Sequence, residues 1–254
     1  MGTKMIELSQ SLSLSQFPLS GKYDPMWVLE NQMGPNVLWL TEALMEILHL
    51  KPGMRVLDMG CGRAISSIFL AKEFGLQVWA TDLWITATDN WKRIRSAGVE
   101  NQVFPINTEA HSLPFADEFF DAAVSMDAYH YFGTDDLYLG KYFERLIKHG
   151  GSIGIVVPGL LYEFTHGVPN NLKPFWNWEF GSFHSPDWWK SHFEKTGKVL
   201  VDLADSIPDG WKYWLKWQEI QLEHEFPYDE TEAALLRVDA GEHLGFTRLV
   251  AHRK

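Results

Sequence analysis

Short apolar runs recur along the chain, and segments of polar or helical pattern separate them. Five of these runs cover residues 54–59, 77–81, 102–106, 120–126 and 152–157, and each has the length of a buried strand. Strands that alternate with helices form a parallel sheet with helices on both faces. Residues 198–203 and 245–252 are candidates for two further strands, with the last expected to be antiparallel. The pattern predicts a doubly wound α/β fold with a mostly parallel, seven-stranded sheet.

The rest of the pattern divides the chain into four segments. Residues 1–50 are predicted to form an N-terminal arm and helical cap, in which about the first twenty residues lack periodicity and are expected to be mobile or loosely docked. Apolar residues recur at helical spacing over residues 35–50, and residues 51–157 form the core. Residues 158–217 hold most of the twelve tryptophans and are predicted to be an aromatic-rich insertion acting as a lid. Residues 218–254 then complete the core sheet.

One further helix is predicted inside the core, over residues 134–150. Thr134 is a candidate N-cap, and Gly150 is a candidate for the C-terminal stop. Acidic residues in the first turn and basic residues in the last would match the helix dipole.

The charge balance narrows the possible partners. The chain has 254 residues, a formal net charge of -11 and a single cysteine, Cys61. An acidic chain without clustered Lys and Arg disfavours nucleic-acid partners. No apolar run reaches about 18 residues, so stable membrane insertion is not expected, and the first twenty residues do not resemble a signal peptide. We therefore expect a folded cytoplasmic protein with small, neutral or cationic partners.

A glycine turn after the first strand carries the most specific chemistry. Gly60 and Gly62 follow the strand at residues 54–59, and Asp82 follows the second strand. A glycine turn lets backbone approach a ligand closely, and a carboxylate at the end of the next strand accepts ribose hydroxyls. Asp58 would repel the pyrophosphate of NAD, whereas it suits the cationic ammonium of S-adenosylmethionine. The turn therefore favours S-adenosylmethionine, with a nicotinamide oxidoreductase as a weaker alternative.

The motifs around this turn resemble those of class I S-adenosylmethionine-dependent methyltransferases, which have a Rossmann-like fold. The resemblance covers about residues 50–160 and includes the motif at residues 56–62 and the segments at 109–115, 120–125 and 146–151. The chain departs from the family pattern at Ala64, which replaces a frequent glycine, and at Glu109, where Asp is more usual. Because alanine disfavours a left-handed conformation, the turn is expected to be slightly different or more helical at Ala64. The resemblance implies the following cofactor-binding residues: Asp58, Gly60, Cys61, Gly62, Asp82, Leu83, Glu109, Ala110 and Ser125.

Candidate acceptor-side residues are less specific. His130 follows the fourth strand at the carboxyl edge of the sheet, where a general base is useful, and Tyr129 and Asp127 could orient it or the substrate. The alternative is that His130 only caps a turn or packs beneath the cofactor. Aromatic rings can line a small-molecule pocket, although core packing explains them equally well. The substrate candidates are Tyr23, Trp27, Trp84 and Trp176, and no metal site is predicted.

These observations predict methyl transfer from S-adenosylmethionine to a small-molecule acceptor by in-line displacement, with S-adenosylhomocysteine as product. Transfer to a lipid, as in cyclopropane synthases, is one alternative. A module that binds S-adenosylmethionine without catalysis is another.

Overall fold

The computed structural model describes residues 3–254 and contains the predicted seven-stranded sheet. The strand order is β3-β2-β1-β4-β5-β7-β6. Strand β7 pairs antiparallel with both of its neighbours, while the other pairs are parallel. The fold class and the antiparallel last strand are therefore confirmed. The strands are β1 (Arg55–Met59), β2 (Gln77–Asp82), β3 (Val103–Asn107), β4 (Phe120–Met126), β5 (Ile147–Leu160), β6 (Val199–Ser206) and β7 (Leu244–Arg253).

Helices cover both faces of the sheet, and neighbouring residues of β1 show this directly. Val56 packs in one hydrophobic core and Leu57 in the other, because successive side chains of a strand point to opposite faces. The described helices are α1 (Thr3–Leu12), α2 (Pro25–Glu30), α3 (Val37–Met45), α4 (Ile65–Phe74), α5 (Ala87–Ala97), α6 (Pro186–Glu194), α7 (Gly210–Glu223) and α8 (Glu230–Asp239). Within residues 3–254, no helix combines the length and the apolar character needed to cross a membrane.

The N-terminal segment is held in place, so the expectation of a mobile or loosely docked arm is wrong for the described residues. Leu8 is 1% exposed and packs in the main core together with Phe17. The carboxylate of Glu42 on α3 accepts the backbone N–H groups of Leu19 and Ser20, both at 2.8 Å. Apolar burial and these charge-assisted hydrogen bonds fix the segment. Residues 1 and 2 lie outside the described residues.

The helix predicted over residues 134–150 is present only as a shorter helical stretch that is not a regular α-helix. Residues 139–143 form a single π-helical turn, residues 144–146 form a 3-10 turn, and β5 begins at Ile147. Ile147 pairs with Phe120 on β4, and Lys148 forms an ion pair with Asp121. Sheet pairing therefore outweighs the local capping signals that favour a helix.

The aromatic-rich segment at residues 158–217 contributes to several parts of the molecule. It contains α6, the edge strand β6 and the first half of α7. Trp189, Trp214 and Trp217 are buried in the two cores, whereas Trp178 is 86% exposed. Burial of core tryptophans explains much of the aromatic content. The four-segment division, and the role of this segment as a lid, stay predictions.

Candidate functional site

A cleft lies at the carboxyl ends of β1, β2 and β4, where ligands bind in open α/β sheets. The glycine turn after β1 forms its floor, and the ends of β2 and β4 form two of its sides. Eight predicted cofactor or substrate residues line it: Gly60, Cys61, Gly62, Asp82, Leu83, Trp84, Glu109 and Ala110.

The glycine turn is held by its own hydrogen bonds. The N–H groups of Gly60 and Cys61 donate to the carbonyl oxygen of Thr81 at 2.9 and 3.0 Å, and the N–H of Gly62 donates to Asp82 at 2.8 Å. These three donors are already satisfied and do not form the free set of N–H groups that a pyrophosphate requires. A Cβ at Gly60 would lie 2.4 Å from that of Ala128, so glycine is required for this close approach.

Ala64 corrects one expectation about this turn. Its backbone is left-handed, with φ 59° and ψ 24°, rather than more helical as the alanine suggests. Its N–H donates to the carbonyl oxygen of Cys61 at 2.9 Å and the residue is fully buried. Ala64, directly before α4, thus adopts a left-handed conformation that costs an L-residue about 1–2 kcal/mol.

Asp82 joins the turn to the end of β2. One carboxylate oxygen accepts Gly62 N–H, and the other accepts the N–H groups of Trp84 and Ile85 at 2.8 and 2.9 Å. The residue is 8% exposed and lines the cleft. A carboxylate has about four lone-pair sites, so it retains accepting capacity toward a ligand hydroxyl.

Asp58 and Ser125 lie behind the cleft surface. One oxygen of Asp58 accepts the hydroxyls of Ser66 and Ser67 at 2.6 Å each, and the other has no partner among the described residues. Burial raises the pKa of Asp58 to about 6 although both serine hydroxyls act to lower it. Ser125 donates to the carbonyl oxygen of Met59 at 2.8 Å. Neither side chain lines the cleft, and cofactor contact by either stays a prediction.

The rim of the cleft is apolar on one side and acidic on the other. Leu83 is 56% exposed, and the 72% exposed ring of Trp84 meets the ring of Tyr131 edge-on. Glu109 is half-exposed; partial burial acts to raise its pKa, but hydrogen bonds from His111 keep it below the ordinary value.

Burial raises the pKa of the Cys61 thiol well above its usual range, so this cysteine is a small neutral side chain of the floor.

A second cavity adjoins the first. Met33, Gly34, Pro35, Asp127 and Tyr131 line both, which makes this group the shared wall. The second cavity encloses about 580 Å³, within the range of small-molecule pockets of roughly 300–1,000 Å³. Its other walls come from the ends of β4 and β5, residues 179–183, α7 and α8. The site thus has adjacent spaces for two ligands.

The two predicted catalytic residues have different positions. His130 lines the second cavity and is 3% exposed. Burial lowers its pKa to about 3, so its ring is neutral at pH 7 and only weakly basic. Tyr129 is fully buried among the rings of Phe132, Trp189 and others, and it lines neither cavity.

Three of the predicted substrate residues are not brought to either cavity. Tyr23 donates to Glu73 at 3.3 Å and stacks with Trp27. Trp176 packs edge-on against Phe164 and Phe180. Trp84 is therefore the one substrate candidate that the described structure places at the cleft.

Sequence reasoning missed most of the second cavity. Glu232, Gln218 and Trp214 lie on α7 and α8, about a hundred residues after β4 in the chain. Gly34 is held against α7 because its carbonyl accepts the indole N–H of Trp217 at 2.7 Å. No local motif marks these residues, since only tertiary packing brings them together.

Comparison with known proteins identifies the region that builds the first cleft. Residues 56–151 match a family model described as a methyltransferase domain, and these residues include the glycine turn, Asp82 and Glu109. This region of the chain is therefore similar to a methyltransferase domain. The methyltransferase resemblance stated from the motifs is confirmed.

The relatives are similar to this chain over only part of their length. The methyltransferase GfsG of Streptomyces halstedii is 28% identical over 170 residues, which are 65% of this chain and 60% of the relative. A demethylmenaquinone methyltransferase of Mycobacterium sp. (strain KMS) is 37% identical over 90 residues, 35% of each protein. The chain thus spans less than two thirds of either relative.

A solved structure extends the likeness of the methyltransferase fold to most of the chain. The structure of phosphoethanolamine N-methyltransferase 2 of Haemonchus contortus in complex with S-adenosyl-L-methionine has a TM-score of 0.70 and 20% identity. The likeness covers 96% of this chain and 59% of that one. At this identity the comparison shows the fold.

Proposed function

We propose that this protein transfers the methyl group of S-adenosylmethionine to a small-molecule acceptor. The observation that carries the proposal is the arrangement of the first cleft. The glycine turn lies beside the carboxylate of Asp82, and the N–H groups of Gly60, Cys61 and Gly62 are already hydrogen-bonded within the protein. This arrangement suits a ligand with ribose hydroxyls and cationic groups better than one with a pyrophosphate.

The residues of the cleft fit this cofactor. Asp82 would accept the ribose hydroxyls, and Gly60 lets the turn lie close to Ala128, which also lines the cleft, because it carries no Cβ. Glu109 and Ala110 line the side on which the family likeness predicts the adenine. When bound, the cofactor supplies an electrophilic methyl group on a sulfonium.

The acceptor is proposed to occupy the second cavity, next to the shared wall. The protein's tasks are to orient the acceptor toward the first cleft and to exclude water from the space between. His130 has a depressed pKa, which favours a packing or hydrogen-bonding role over the predicted role as general base. A His130→Gln variant should therefore keep the pH–rate profile of the parent; loss of the decline in rate at low pH, where a general base becomes protonated, would restore His130 as the base.

Calorimetric titration with S-adenosylmethionine, S-adenosylhomocysteine and NADH tests the proposal first. Micromolar binding of the first two, without binding of NADH, supports it. Binding of NADH alone would overturn it. Methyl transfer is then followed with radiolabelled S-adenosylmethionine and a panel of amine, phenol, thiol and lipid acceptors, and a complete lack of turnover would favour a non-catalytic module.

Cellular location and partners belong to the same proposal. The net charge of -11 supports a small-molecule acceptor over a nucleic acid, and the proposed location is the cytoplasm. Fractionation of the host cell tests the location.

A further inference from the structure

The second cavity is strongly acidic. Its lining includes five carboxylates, those of Asp127, Glu179, Asp229, Glu230 and Glu232, and none of the described residues that line it is Lys or Arg. Among the described residues, none of the five forms an ion pair with a basic side chain, in contrast to many acids elsewhere on the surface. No ion pair among the described residues therefore offsets the carboxylates of the cavity.

A buried group without a partner points independently to a ligand. His130 lines the cavity and is 3% exposed, and its Nδ1 has no hydrogen-bond partner among the described residues. Buried polar atoms are almost always hydrogen-bonded in folded proteins. This atom belongs to a ring that lines the cavity, so a ligand or an ordered water bound at that ring would supply the missing partner.

The acids and the histidine lie among aromatic rings. Phe180, Phe183 and Trp214 are buried in the wall of the cavity, and Tyr131 and Tyr228 complete the aromatic lining. Phe183 packs against both Phe180 and Trp214. Faces of aromatic rings attract cations, so the apolar part of the wall favours the same sign of charge as its carboxylates.

Asp127 and Glu232 are the two acids placed deepest in this field. Burial, and then the charge of Glu232, raise the pKa of Asp127 well above its usual range. Burial raises the pKa of Glu232 to about 7, with Asp229 and Glu179 acting in the same direction and Trp214 and Gln218 opposing it. The ionised form of each of these two carboxyl groups is therefore disfavoured in the cavity, and a nearby cation would stabilise it.

We propose that the acceptor is an amine that binds as a cation between Asp127 and Glu232, with an apolar body against the aromatic wall. The inference rests on the proposed methyl transfer. Asp127 lines both cavities, so an amine held by it lies where the acceptor must meet the methyl donor. A phosphate or diphosphate group in this cavity would meet carboxylates and, among the described lining residues, no Lys or Arg.

The transfer step balances with these groups. The bound ammonium first gives one proton to the Asp127 carboxylate, which leaves a lone pair on nitrogen. That lone pair forms the bond to the methyl carbon as the carbon–sulfur bond breaks and its electron pair remains on sulfur. The methylated product is again an ammonium, and the proton on Asp127 passes to solvent.

The test compares three probes that share one aromatic body: 2-phenylethylamine, 2-phenylethanol and 3-phenylpropionate. Each is titrated calorimetrically into the full chain saturated with S-adenosylhomocysteine at pH 8. The amine should bind at least about tenfold tighter than the alcohol, as expected for hydrogen bonds to charged groups. The propionate should not bind detectably.

Charge-neutral variants then assign the preference to this cavity. Glu232→Gln and Asp127→Asn should each remove most of the difference between amine and alcohol. Glu179→Gln should also reduce the difference in affinity between amine and alcohol. Because Glu179 is an exposed residue of the rim, this variant should fold like the parent. Glu223→Gln, on α7 but outside both cavities, changes the net charge equally and should leave both affinities unchanged.

The outcomes separate this inference from the proposed function. Binding of S-adenosylhomocysteine together with equal or tighter binding of the alcohol or the propionate overturns the amine inference alone, as does no binding of the amine. An equal loss in Glu223→Gln and Glu232→Gln also overturns it. If S-adenosylhomocysteine does not bind, the proposed function fails, and the same probes titrated into the protein without it still decide the charge preference of the cavity.

Discussion

Replacement of Gly60 by alanine would place a methyl carbon 2.4 Å from the Cβ of Ala128, on the loop that follows β4. Gly60 also has a φ of +71°. The left-handed backbone alone costs an alanine about 1–2 kcal/mol, and overpacking adds about 1–3 kcal/mol. We expect Gly60→Ala to lower the free energy of unfolding by about 2–5 kcal/mol and to weaken binding of S-adenosylhomocysteine, because the floor of the cleft must move.

Gly53→Ala is a matched control, since Gly53 has a φ of +82° but no atom within 4 Å of the position that a Cβ would occupy. It should lose only the backbone contribution, about 1–2 kcal/mol, and bind the cofactor product normally. Ala128→Gly in the Gly60→Ala background removes the clashing carbon and should restore part of the stability. Urea unfolding followed by tryptophan fluorescence, with calorimetry of S-adenosylhomocysteine, measures all four proteins. Equal stability of the two single glycine variants, or no recovery in the double variant, would refute the reasoning.

Three further changes test other parts of the structure. Asp82→Asn removes the charge that accepts Gly62 N–H and should weaken calorimetric binding of S-adenosylhomocysteine by roughly 1.5–3 kcal/mol; an unchanged Kd would remove Asp82 from the site. The native pKa of Asp58, about 6 against an ordinary 3.8, means that its carboxylate costs stability as pH rises through the interval between these values. Asp58→Asn should therefore gain up to about 3 kcal/mol over the parent between pH 4 and pH 7 in urea unfolding, and a pH-independent difference would contradict the shift. Arg248→Met leaves Asp205 without its two hydrogen bonds of 2.8 and 2.9 Å and should cost about 2–4 kcal/mol of unfolding free energy, whereas a loss below about 1 kcal/mol would show that solvent screens the pair.

The sheet could be predicted from the sequence because its strands are short apolar runs bounded by turns. The predicted run at residues 120–126 coincides with β4, and the others differ from the observed strands mainly at their ends. β5 differs most, since it begins at Ile147 rather than near residue 152. The pairing of Ile147 with Phe120 is a long-range interaction, so the local capping signals around residue 147 cannot predict it.

The two cavities also differ in how far local sequence patterns predict them. The cofactor side is a local motif, because Gly60, Gly62 and Asp82 lie within a single β–α–β unit and their spacing is visible in the chain. The second cavity combines Gly34, the end of β4 and Glu232, and none of these stands out in its own segment. Aromatic content also misled the prediction, since core packing accounts for tryptophans such as Trp217 as well as a ligand would.

The two cavities on either side of the shared wall are built by different parts of the chain. The cofactor cleft is built mainly within residues 56–151, while residues 32–35, the 179–183 segment, α7 and α8 supply most of the second cavity from outside that range. α7 and α8 contribute no lining residue to the cofactor cleft, so we expect that they can be exchanged without altering the glycine turn. A chimera that carries α7 and α8 of a relative would be expected to inherit that relative's acceptor range together with this protein's affinity for the methyl donor.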